Sequence, residues 1–157
     1  MKPSFPRLIA AVTAIIFMAT AIPTQGWAQG GAMPAKTPFQ EKREKKMKSL
    51  GGAMRILKKA DSVAPTVDAA KTLVAVAAEF GGLFPKGTGG PATRAKPEIW
   101  SNMGDFKMKT EAFGQAAQAL LKATASGNLG AVKKAFGGVG QSCRGCHKLY
   151  RVPKDRK

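Results

Sequence analysis

Apolar and polar positions alternate along this chain at helical steps almost throughout. From Phe39 to about Lys59, residues Phe39, Arg43, Met47, Leu50, Met54 and Leu57 recur every three or four positions, and lysines and arginines fill the gaps. That spacing predicts one helix with a single inward face. A second helix is predicted from about Thr66 to Phe80, with Val67, Ala70, Val74 and Ala77 on one side. Gly81 to Lys96 then brings five glycines together with Pro85 and Pro91, and reads as a long loop. Pro97 suits the first turn of a third helix. That helix should run to about Ala125, with Trp100, Met103, Phe106, Phe113, Ala117 and either Leu120 or Leu121 inward. Ser126-Gly127-Asn128 is a stop-and-restart signal. A fourth helix follows from about Leu129 to Arg151. Strand-like alternation is almost absent, so the fold class is all-α.

The fourth helix carries the candidate chemistry. Its inward stripe, Val132, Phe136, Val139, Cys143, Cys146/His147 and Tyr150, runs straight through Cys143-Arg144-Gly145-Cys146-His147. This C-x-x-C-H run is the signature of covalent haem attachment, and it holds the only two cysteines and the only histidine in the chain. Two thiols add across the two vinyl groups of one haem, so they must lie about one helical turn apart. The adjoining imidazole then reaches the iron. On a helix the three side chains share a face. Rival readings are weaker. A zinc site wants four soft ligands, and only three are present. A redox dithiol expects a βαβ setting, and a disulfide leaves the histidine unexplained. One haem c per chain is therefore expected, inside the helical assembly. Gly137, Gly138 and Gly140 each cost about 1 kcal/mol relative to alanine in a helix, which anticipates either a close approach by haem or a neighbouring helix, or a bend.

The beginning of the chain decides the compartment. Lys2 and Arg7, an apolar run from Leu8 to Ile22 and the small residues of Gly26-Trp27-Ala28 read as a secretory signal peptide spanning residues 1–28. The apolar run is short for a membrane span, so no transmembrane anchor is expected after processing. Periplasmic location is the expectation. Residues 29–38 form a Gly/Pro-rich leader, and residues 39–157 are one domain. The formal charge of +17 falls by two when Lys2 and Arg7 are removed. Such a surface favours acidic redox partner proteins. Nucleic acid is not expected, because no binding motif with interleaved aromatics is present.

Together these features resemble the cytochrome c prime family, the class II c-type cytochromes. The likeness rests on Val139 to His147 near the chain end and on Lys96-Pro97-Glu98-Ile99-Trp100 before the third helix. It implies an antiparallel four-helix bundle, often a homodimer, with His147 as the proximal iron ligand. It also implies that the first helix supplies the residue facing the sixth iron position. Arg43 matches the family arginine near a haem propionate. Met47, four residues on, resembles the methionine of the low-spin branch and is the candidate sixth ligand. Met54, Met103 and Met108 are weaker candidates, and Lys45, Lys46 and Lys48 read as a solvated face. With His147 and Met47 on iron, the expected function is electron transfer rather than enzymatic turnover. The alternative is a five-coordinate, high-spin protein that binds NO or CO while Met47 only packs.

Overall fold

The computed structural model describes residues 34–153; the expected signal peptide and the first part of the leader lie outside the described residues. Helix α1 spans Pro38–Lys59. Its start is dictated locally. The Thr37 hydroxyl accepts from the Gln40 N–H at 3.3 Å, and the Gln40 side chain accepts from the Thr37 N–H at 2.9 Å. This reciprocal pair occupies two backbone donors that would otherwise lack partners, and Pro38 fits the first turn. Glu41 in the first turn and Lys58 and Lys59 in the last complement the helix dipole.

Helix α2 spans Ala64–Glu79 and passes into a 3-10 turn, Phe80–Leu83. After the crossover segment come the four-residue helix α3, Glu98–Ser101, then α4, Met103–Ala125, and α5, Leu129–Tyr150. Asn128 caps α5 by accepting from the Ala131 N–H at 3.1 Å. The preceding Gly127 has φ of +64°, a left-handed conformation that favours glycine. The connections from α1 to α2 and from α4 to α5 are short, which makes each pair antiparallel neighbours. The longer crossover joins α2 to α3 and α4.

Packing is extensive between α1 and α2, α2 and α4, and α4 and α5, but slight between α1 and α5. Three seams of the four-helix bundle are thus closed and one is open. Leu57, Leu73, Leu83, Ile99, Leu120, Val132 and Val139 are the large fully buried core residues. Five aromatic rings line up beside them. Phe84 meets Phe106 edge-on at 4.8 Å between centroids, and Phe106 meets Tyr150 at 5.2 Å. Phe80 touches both Phe84 and Phe113.

Four expectations change. The third helix is broken at Asn102, where φ −129° and ψ 52° leave the helical region and separate α3 from α4. The buried face of α2 is Thr66, Ala69, Ala70, Leu73 and Val76; of the expected Val67, Ala70, Val74 and Ala77 only Ala70 is fully buried, while Val74 and Ala77 pack at the edge of the core. Only a narrow side of α2, with Asp68, Lys71, Thr72 and Glu79, is polar, so periodicity leaves the centre of its wide apolar face undetermined. On α1, Phe39 is 40% exposed and Gln40 takes the inward place. Finally, α5 runs unbroken through its glycines, and a Cβ at Gly137 or Gly138 would meet nothing within 4 Å. These two glycines face outward, so neither a bend nor a close neighbour accounts for them.

Candidate cofactor site

The open seam contains a cavity of about 770 Å³, bordered by α1, the crossover segment, α3, α4 and α5. Its size lies within the range of cofactor and ligand pockets.

Helix α5 contributes Cys143, Cys146 and His147, all part-buried and all lining the cavity. The two thiols are free. Burial pushes both upward from the ordinary thiol pKa, which argues against a low-pKa redox dithiol. His147 is pushed the other way, first by burial and then by the positive charges of Arg151 and Arg94. The imidazole is thereby held neutral, with a lone pair available to a metal.

The end of α5 is tied to the crossover. Val152 N–H donates to Arg94 O at 2.8 Å, Lys96 N–H to Tyr150 O at 3.0 Å, and the Arg94 guanidinium to Val152 O at 2.6 and 2.9 Å. The buried Tyr150 hydroxyl donates to Asp105 Oδ2 at 2.5 Å. Burial and that carboxylate push the phenol up to about 12.

Helix α1 supplies the facing wall. Arg43 is only 5% exposed. Its Nη1 donates to Leu83 O at 3.0 Å and to the Thr88 hydroxyl at 2.9 Å, and its Nη2 to Thr88 O at 2.5 Å. Its guanidinium carbon lies 4.9 Å from the centre of the Phe84 ring. Burial lowers the Arg43 pKa, and among the described residues no carboxylate pairs with it. Arg43 Nε is the one buried side-chain nitrogen or oxygen among the described residues without a hydrogen-bond partner. A buried cation without a counter-ion is costly. A haem carboxylate entering the cavity meets both deficits at once. The residues therefore fit a haem bound through Cys143 and Cys146.

Met47 lines the cavity beside Leu50 and Met54 and is part-buried, so two thioethers rather than one border it. Met103 packs against the core and Met108 is 60% exposed, both outside this lining. Lys46 and Lys48 are engaged by Glu79 and Glu44, and Lys45 is exposed. Hydrogen bonds from Lys36 and Lys48 hold the Glu44 carboxyl down at about 2.

Sequence reasoning missed Gln40, Thr88 and the Tyr150–Asp105 pair. The T-x-x-Q start of α1 marks Gln40 as a capping residue. Nothing local marks it as buried, or marks Thr88 as its partner 48 positions away.

Residues 38–151 match the sequence profile described as cytochrome c′. A cytochrome c′ of Allochromatium vinosum is 40% identical over 95 residues, which is 57% of this chain and 62% of that protein. A cytochrome c-556 of Agrobacterium tumefaciens (strain B2A) is 39% identical over 120 residues, covering 73% of this chain and 97% of that one. Among solved structures, a cytochrome c′ with ligand-controlled dimer dissociation aligns with a TM-score of 0.69 at 33% identity, over 76% of this chain and all of the other. A nitric oxide complex of a cytochrome c prime variant from Alcaligenes xylosoxidans aligns at 0.66 and 29% identity, over 73% and 94% of the two chains.

Proposed function

The chain belongs to the cytochrome c′ family and carries covalently attached haem c, and from that premise we propose that it is an exported haem protein that binds a diatomic gas at the sixth iron position. The observation that carries the gas reading is the likeness to variants of a cytochrome c prime from Alcaligenes xylosoxidans solved with nitric oxide bound and with carbon monoxide bound. Of the two readings open from the sequence, the comparisons speak more for this one than for Met47 ligation.

Each residue then has a stated task. Cys143 and Cys146 anchor the cofactor as thioethers. His147, kept neutral by its surroundings, supplies the proximal nitrogen. Arg43 donates from Nε to a cofactor carboxylate. Met47, Leu50 and Met54 form an apolar wall that admits a small uncharged ligand. The bound haem supplies an iron able to take up that ligand and to change oxidation state. No residue is assigned to substrate turnover, so the reading is of a binding protein, not an enzyme.

A second reading stays in play because the Met47 thioether borders the cavity. With Met47 on iron, the protein is an electron carrier serving acidic redox partners. Absorption spectra of the mature protein, oxidised and reduced, with and without carbon monoxide, separate the two. A high-spin spectrum that responds to the gas supports the first reading. A low-spin spectrum with a far-red methionine-to-iron band and no response supports the second, and Met47→Ala should then restore gas binding.

The signal peptide (residues 1–28), the leader (29–38) and the periplasmic location belong to the same proposal. They are tested by the N-terminal sequence and cellular fraction of the expressed protein. None of the described helices is long and apolar enough to cross a membrane. The likeness to a dimeric cytochrome c′ suggests a homodimer, which sedimentation with and without carbon monoxide would test.

A further inference from the structure

The crossover between α2 and α3 does more than connect helices. Thr88, 9% exposed, gives its hydroxyl hydrogen to Pro85 O at 2.8 Å, which turns the oxygen lone pairs toward Arg43 Nη1. The Thr88 carbonyl takes Arg43 Nη2, and Gln40 Nε2 reaches Gly89 O at 2.7 Å and Thr88 O at 3.4 Å. Gln40 is itself locked by its reciprocal bonds to Thr37. On its other side the segment lies on Trp100. A Cβ at Gly89 would come within 3.0 Å of that ring, and the indole N–H donates to Pro85 O at 2.9 Å. The turn is therefore held from both flanks, and it holds the arginine.

We propose that Thr88 and Gln40 are positioning residues for the cofactor, fixing Arg43 with both terminal nitrogens committed to the crossover and Nε left to donate to a haem carboxylate. A guanidinium has five N–H donors in a rigid planar fork. Three are spent on Leu83 O, Thr88 Oγ1 and Thr88 O. The fork cannot rotate without breaking all three, so the direction of Nε follows from the crossover. The consequence is electrostatic. A buried, fixed cation holds the cofactor carboxylate ionised. Loosening the cation lets that carboxylate take up a proton more readily.

This inference rests on the assignment of Arg43 to the cofactor carboxylate, and one experiment separates the two. The reduction potential of the holo-protein is measured from pH 4 to 10 for the wild type and for Thr88→Val, Thr88→Ser and Arg43→Leu. Lys36, Glu44, Arg94, Lys109, Tyr150 and Arg151 also line the cavity and are the same in all four proteins, so what they contribute is a common background. Cys143 and Cys146 as thioethers and His147 on iron carry no free acid group in the holo-protein. Thr88→Val should raise the carboxylate inflection by a pH unit or more, a tenfold change in its acid constant. Thr88→Ser should leave it in place, and Arg43→Leu should raise it further. If Arg43→Leu moves the inflection and Thr88→Val does not, the positioning role is overturned while the Arg43 assignment stands. If Arg43→Leu moves nothing, both fall. Should Thr88→Val fail to fold, Gln40→Met removes the second tether, and an unmoved inflection there also overturns the proposal.

Discussion

Helices α1 and α5 border the same cavity, yet they arrive at it in different ways. The α5 wall is local: Cys143, Cys146 and His147 fall within five consecutive residues, and helical geometry alone puts them on one face. The α1 wall is assembled. Arg43 depends on Leu83 and Thr88, 40 and 45 positions away, and Gln40 depends on Gly89. One wall is written in a motif and the other in a contact pattern. Local chemistry survives without its neighbours, whereas an assembled wall is as sound as its most distant contact.

The strongest test breaks the local wall. Replacing Cys143 and Cys146 together by Ser should abolish covalent haem retention, read as complete loss of haem staining on a denaturing gel. On the assembled wall, Arg43→Leu takes its donor from the Leu83 carbonyl, leaves the Thr88 carbonyl only the 3.4 Å bond from Gln40, and removes the stacking on Phe84. Unsatisfied buried groups of this kind cost about 1–3 kcal/mol, so the denaturation midpoint should fall while covalent haem content is kept. That split, content at α5 and stability at α1, is what the comparison requires.

Acid sharpens it further. Iron and proton compete for the same His147 nitrogen. Burial, then Arg151 and Arg94, lowers its proton affinity below the ordinary value of 6.5. A depressed histidine pKa means that the neutral, ligating form is retained above 6.5 and lost only as pH falls through the lower folded value. The iron–imidazole spectrum should therefore persist below pH 6.5, and its loss near that value would count against the reading. The smallest effect is expected on the outer face of α5. Gly137→Ala and Gly138→Ala fill open space and should each stabilise the helix by about 0.5–1 kcal/mol, with the haem spectrum unchanged.

How much of this was legible follows from the range of the forces involved. The four principal helices, the α5 motif and the placement of Cys143, Cys146 and His147 on an inward stripe depend on spacing alone, and α5 runs as expected to within a residue. The face of α2 was misread because its polar side (Asp68, Lys71, Thr72 and Glu79) is narrow and both flanks beside it are apolar, so the centre of the buried face is not set by spacing alone. The break at Asn102 lay hidden because Trp100, Met103 and Phe106 keep helical spacing across it. Gln40 and Thr88 look like an ordinary cap and an ordinary turn residue until the crossover is laid against α1.

By itself, then, the chain determined its helices, its cofactor class and the candidate anchoring residues on α5, because hydrophobic period and thiol spacing act over one or two turns. Tertiary structure alone decided which seam stays open, which side of α2 is buried and how Arg43 is held. Those outcomes turn on burial of a charge and on hydrogen bonds between segments some 40 residues apart. Their free energy exists only once the segments meet.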